Sequence, residues 1–196
     1  MNTISTRLIS AVRHLGRLVV RPAQAHCDTE GGPTVTDGRR ALATGNVNHA
    51  LKWVSPAAED EVRAVFEQAS RVRTLGGEAA DLADRYFLET LVRLHRAGEG
   101  AGYEGIKPAG TGVDATVEAA DRAVAEGSLE PLRALVDQER WPHLEHLFGE
   151  ALARRGFDPD DLGAARAWIA AYVTFVKFAA GESHDHGSVE PVTAGH

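Results

Sequence analysis

Residues 78–97 read Glu78-Ala79-Ala80-Asp81-Leu82-Ala83-Asp84-Arg85-Tyr86-Phe87-Leu88-Glu89-Thr90-Leu91-Val92-Arg93-Leu94-His95-Arg96-Ala97. Asp81, Arg85, Glu89, Arg93 and Arg96 recur at steps of three or four. Residues so spaced share one face of an α-helix, and oppositely charged ones four apart can pair. The spacing therefore predicts a charged stripe with Arg85–Glu89 and Glu89–Arg93 pairs. Leu88, Leu91, Val92 and His95 fall on the other side, which points His95 toward a core. Gly98 reads as the stop. If the helix runs on instead, His95 and Glu99 share a face.

Working outward, the same logic predicts helices almost everywhere. Thr34 to Thr44 is a short helix closed by Gly45-Asn46, and Val47 to Val54 holds a second short apolar piece. Ser55-Pro56 reads as cap and first position of a helix extending to Leu75, before Gly76-Gly77. Asp114 to Glu126 is closed by Gly127. Ser128 caps a predicted helix from Leu129 to Glu139, and Pro142 opens another that ends at Gly156. Asp158-Pro159 repeats the cap-and-proline start for a last helix reaching Ala180. That helix, with Trp168, Ile169, Tyr172, Val173, Phe175, Val176 and Phe178, is apolar on more than one face and is expected at the centre. No long stretch alternates apolar and polar residues. The expectation is an all-α bundle of six to seven helices.

At 196 residues the chain suits one domain with tails: a leader over 1–25, a helical domain over 26–180, and a disordered His-containing tail over 181–196. A net charge of −7 argues against nucleic acid as a partner. No apolar run approaches a membrane span. The single cysteine excludes an intramolecular disulfide. Residues 1–25 lack Asp and Glu but carry Arg7, Arg13, Arg17 and Arg21. Ile4, Leu8, Val12, Leu15 and Val19 recur at helical spacing. Three readings stand: a degenerate export signal cut after Ala23-Gln24-Ala25, a non-native extension, or a basic amphipathic arm. The protein is exported if cleaved after Ala25 and cytoplasmic otherwise.

The chemistry concentrates at His26-Cys27-Asp28, before the turn Thr29-Glu30-Gly31-Gly32-Pro33. An imidazole, a thiol and a carboxylate in sequence can hook a metal, and cleavage after Ala25 would add the amine of His26. Polar neighbours predict that Cys27 is accessible, as ligand or reactive thiolate rather than packed hydrophobe. His95 is either a core histidine bonded to a carbonyl or a further ligand, with Glu99 beside it. The candidate ligands are thus His26, Cys27, Asp28, His95 and Glu99. One thiolate with imidazoles suits copper, iron, nickel or zinc.

His26-Cys27-Asp28-Thr29 with Gly32-Pro33, then Gly45-Asn46-Val47-Asn48 and Trp53-Val54, resemble a bacterial family of unknown function. So do Glu89-Thr90-Leu91-Val92-Arg93-Leu94-His95-Arg96, Gly98-Glu99-Gly100-Ala101, Tyr103, Gly105 and Lys107-Pro108-Ala109-Gly110. The resemblance covers about residues 26–180. It implies an all-helical protein, sometimes with an export signal, and a His where this chain has Lys177. The tripeptide is also similar to the start of mature nickel superoxide dismutase. That four-helix bundle holds nickel in an N-terminal hook through the amine, the His ring, a backbone amide and two cysteines. His26 and Cys27 match its first two hook residues, and Gly31 stands where the second cysteine would fall.

Other groups compete less well. Glu139, His143, His146 and Glu150 share a helical face, which reads first as solvated polar surface. His184-Asp185-His186 and His196 sit in the tail. The Gly98–Gly110 segment has no Walker pattern; its Tyr103 and Lys107 are candidates to line a pocket. A hydrolase with Cys27 as nucleophile and His95 as base is a rival chemistry. A further alternative is a purely structural hook. The expected function is a metal-binding helical protein, redox-active on a small oxidant such as superoxide, or else a non-enzymatic metal-handling or helical binding module. Its partner is a metal ion or a small molecule.

Overall fold

The computed structural model describes residues 26–182. Seven α-helices lie within them: α1 (Pro33–Thr44), α2 (Asn48–Leu51), α3 (Glu59–Arg73), α4 (Gly77–Gly98), α5 (Ala115–Glu126), α6 (Trp141–Arg154) and α7 (Leu162–Ala179). Among the described residues there is no strand, only an isolated parallel bridge between Thr29 and Lys107. The all-α expectation holds. The readings of residues 1–25 and of most of the tail fall outside the described residues.

The apolar residues gather in two clusters. α4 packs on α3 and α1, and Val35, Leu51, Val62, Phe66, Phe87 and Leu91 fill the space between them. α7 packs on α6 and α5 around Val117, Leu132, Leu144, Phe148, Tyr172 and Phe175. Each fully buried Phe or Leu contributes about 1.5–3 kcal/mol relative to leaving it in water. α1 approaches α4 closely because Gly38 has no side chain. A Cβ there would meet Leu88 Cδ2 at 2.6 Å and Leu91 Cδ2 at 2.9 Å.

Several boundaries differ from the sequence reading. Ser55 makes no side-chain cap; a 3₁₀ turn over Pro56–Ala58 leads into α3 instead, and α3 ends at Arg73, short of Leu75. The helix expected over Leu129–Glu139 is replaced by two 3₁₀ turns, Glu130–Leu132 and Gln138–Arg140. The extended Asp137 (φ −60°, ψ 140°) separates the two turns. Ser128 does accept from the Glu130 amide, at 3.3 Å. The last helix starts at Leu162 rather than at Pro159, because Asp161 supplies the cap by accepting from the Ala164 amide at 2.9 Å. α7 is not the central helix either. Its Trp168, Ile169, Val173 and Phe178 are only partly covered, whereas every residue from Leu91 to Arg96 except Arg93 is buried.

Candidate functional site

The tripeptide His26-Cys27-Asp28 is folded under the bundle. Its turn is stitched to the Gly-rich loop by two backbone bonds of 2.8 Å: Lys107 N–H to the Asp28 carbonyl and Glu30 N–H to the Lys107 carbonyl. Gly32 lets the turn close. A Cβ there would lie 2.2 Å from the His26 carbonyl oxygen and 3.1 Å from that of Cys27. Pro33 then opens α1.

Cys27 is buried (7% exposed), contrary to the expectation from its polar neighbours. Burial pushes its thiol up to about 12, and the Glu99 and Asp28 charges push in the same direction. A thiol of that pKa is neutral at pH 7, so the free reactive thiolate of the hydrolase reading is not what this environment favours. Asp28 is buried too (3% exposed). Desolvation raises its pKa, opposed chiefly by the Arg96 guanidinium, whose Nε lies 3.4 Å from the carboxylate.

α4 carries the other half. It runs through Gly98, so His95 and Glu99 do share a face, with His95 Nε2 3.8 Å from Glu99 Oε2. Arg96, expected on the exposed stripe, is buried and also meets Glu99 at 3.1 Å. The Arg85–Glu89 pair forms at 2.8 Å, but Arg93 reaches across to Glu61 of α3 at 2.5 Å rather than to Glu89.

The hydrogen bonds set the tautomers of both histidines. His95 Nδ1 lies 2.9 Å from the Trp53 carbonyl oxygen. That oxygen can only accept, so Nδ1 carries a proton, and in the neutral imidazole Nε2 is the nitrogen with the lone pair. His26 Nε2 donates to the Asp121 carboxylate, which also accepts from the Tyr172 hydroxyl at 2.5 Å. In the neutral imidazole that leaves Nδ1 of His26 as the nitrogen with the lone pair. His26 Nδ1 and His95 Nε2 are both buried and have no hydrogen-bond partner. Tyr172, held between Trp53 and Trp168, has its pKa raised well above normal, first by burial and next by Asp121.

A cavity of about 10 Å³ lies among these groups, lined by His26, Cys27, Glu99, Tyr172, Val173, Val176 and Lys177. Such a volume holds about one water-sized species. Of the candidate ligands, His26, Cys27 and Glu99 face this cavity. His95 adjoins Glu99, and Asp28 is turned to Arg96. Among the described residues, no three His, Cys, Asp or Glu side chains stand in a group that could hold a metal ion as arranged. Sequence reasoning missed Asp121, Tyr172 and Trp53. They lie on α5, on α7 and just after α2, and no local pattern joins them to the hook. A larger cleft of about 610 Å³ lies elsewhere, between Arg39, Arg73, Asp84, Arg85 and Glu89. Its Arg73–Asp84 and Arg85–Glu89 charges are already paired. Tyr103 and Ile106 of the Gly-rich loop pack against the first cluster.

The molecule is thus an all-helical protein with a buried polar site under its N-terminal turn. A family model described as a family of unknown function (DUF6448) matches residues 31–178, and the chain belongs to that family. The match begins just after the tripeptide. No curated protein and no solved structure matches the chain. Among the described residues, no helix is long and apolar enough to cross a membrane.

Proposed function

We propose that the protein binds a first-row transition-metal ion at the small cavity, with Cys27, His26 and His95 as principal ligands and Glu99 beside them. One observation carries this reading. Each imidazole gives its N–H to a carboxylate or a backbone carbonyl, and its other nitrogen is left bare in a buried place. Metal-binding histidines are oriented by this kind of partner. The charges that raise the Cys27 thiol pKa, Glu99 and Asp28 foremost, would also draw in a cation, and a bound cation reverses their effect on the thiol. Side chains must turn for the donors to converge. One thiolate with two imidazoles suits copper, zinc, iron or nickel.

The test is elemental analysis of natively purified protein, beside the Cys27→Ser variant. Stoichiometric metal in the first and its loss in the second are expected. Equal metal in both, or none in either, overturns the proposal. The cavity admits about one water-sized molecule, so a redox role would concern a small oxidant such as superoxide. Superoxide turnover by the metal-loaded protein separates that role from metal handling without turnover.

A further inference from the structure

Tyr172 and Trp168 stand four residues apart on α7, and residues so spaced share a helix face. Their rings stack, with centroids 5.4 Å apart and planes 16° apart. Phe157 continues the stack from Trp168, again at 5.4 Å. Tyr172 is buried and lines the cavity beside Cys27, whereas Trp168 and Phe157 are partly exposed. Stacked rings thus connect the cavity with solvent.

Tyr172 and Trp168 differ in what each can do with a proton. An aromatic side chain that loses one electron becomes a much stronger acid, so its oxidation is easiest where a base takes the proton. The Tyr172 hydroxyl donates to Asp121 Oδ1 at 2.5 Å. Asp121 accepts from His26 through its other oxygen, so it can take the phenolic proton without releasing the imidazole. The Trp168 indole N–H is buried and has no acceptor among the described residues. The Lys52 ammonium lies 5.4 Å from the Trp168 ring centre. A cation is drawn to the face of a neutral ring and opposes a positive charge on it. Both features work against a lasting electron vacancy on Trp168 and in favour of one on Tyr172.

We infer that Tyr172 and Trp168 form a one-electron path between solvent and the cavity, with Asp121 as the proton acceptor of Tyr172. When a one-electron oxidant in solvent takes an electron from Trp168, Tyr172 supplies the replacement. Its O–H bond breaks, the proton passes to Asp121, and a neutral tyrosyl radical remains at the cavity wall while Trp168 is neutral again. In the opposite sense, a one-electron oxidant in the cavity draws the electron from Tyr172, and the proton again moves to Asp121. A one-electron reductant in solvent then refills Tyr172 through Trp168 as the proton returns. The path needs no bound metal, so it stands or falls separately from the metal site proposed above.

The test is pulse radiolysis of the full-length protein with the azidyl radical, a one-electron oxidant that attacks tryptophan. The tryptophanyl absorption should decay in a step whose rate is independent of protein concentration, while tyrosyl absorption grows in. Tyr172→Phe should abolish that growth, and Trp168→Phe should remove the fast step. Asp121→Asn still offers an oxygen to the hydroxyl but is a far weaker base, and should slow the step about a hundredfold. No tyrosyl growth in the wild type, the same growth in Tyr172→Phe, or an unchanged rate in Trp168→Phe or Asp121→Asn overturns the inference. Helical circular dichroism checks the fold of each variant. Should Tyr172→Phe fail to fold, the rates of the other two decide.

Discussion

Cys27 and Gly32 show how much a single residue decides here. The Cys27 thiol is buried and its pKa is raised to about 12. At pH 8 it is almost wholly protonated, and the thiolate is the nucleophile. Metal-free native protein should therefore react with a thiol reagent at pH 8 at least a hundredfold more slowly than unfolded protein. Comparable rates would show that the thiol is not buried. The same shift couples to stability. Because the folded pKa lies above the unfolded one, the folded state holds its proton longer, and stability falls as pH rises from about 9 toward 12. Cys27→Ala should flatten that alkaline loss, which is on the order of a few kcal/mol, in denaturant melts. Gly32 is required for a different reason. The His26 carbonyl occupies the place of its Cβ, and backbone cannot yield as a side chain can. Gly32→Ala should cost about 2 kcal/mol or more and open the turn, seen as faster Cys27 labelling.

At the scale of the element, α4 links the bundle to the hook. Its first turns face solvent through Glu78, Asp81 and Leu82, and Leu91 to Arg96 are buried apart from Arg93. Helical continuation through Gly98 places Glu99 between His95 and Arg96. Arg96 in turn opposes the desolvation that raises Asp28. Removing one member of a buried ion pair strands the other charge, which typically costs about 3–5 kcal/mol. Arg96→Gln should lower stability by that order at pH 7, measured by urea unfolding. The loss should shrink as pH falls, because a protonated Asp28 no longer needs the guanidinium. Asp28→Asn in the Arg96→Gln background should restore part of the stability. An Arg96→Gln effect below about 0.5 kcal/mol, or one that does not vary with pH, would contradict this account.

Across the whole molecule, Trp53 connects the two apolar clusters. Its ring belongs to the second cluster, while its neighbours Leu51 and Val54 belong to the first. Its indole N–H donates to Asp37 of α1 at 2.8 Å, and its carbonyl holds His95 of α4. It also meets Tyr172 of α7 edge-on at 6.5 Å. Truncating a buried Trp costs about 3–5 kcal/mol. Trp53→Ala should lower stability by that amount, and unfolding should stop being a single step. Circular dichroism and the fluorescence of Trp141 and Trp168 would then report different midpoints. Coincident transitions in the variant would show that the clusters are joined by other contacts.

Much of this architecture is legible in the chain itself. The three- and four-residue steps of α4, the Asp114 start and Gly127 stop of α5, and the absence of alternation specify an all-α fold, because helix period and capping are local properties. His26, Cys27, Asp28 and His95 are legible only as candidates, by their types and their immediate neighbours in sequence. Locality also explains the misreadings. Ser128 does accept from the Glu130 amide, yet two 3₁₀ turns stand where a helix was expected, and Asp161 rather than Asp158 starts α7. Tertiary structure alone decided that Cys27 is buried, that Arg96 turns inward to Asp28, and that Asp121 and Tyr172 stand beside His26 from residues far along the chain. Those facts depend on which surfaces meet when α4, α5 and α7 pack, and no short-range pattern encodes that meeting.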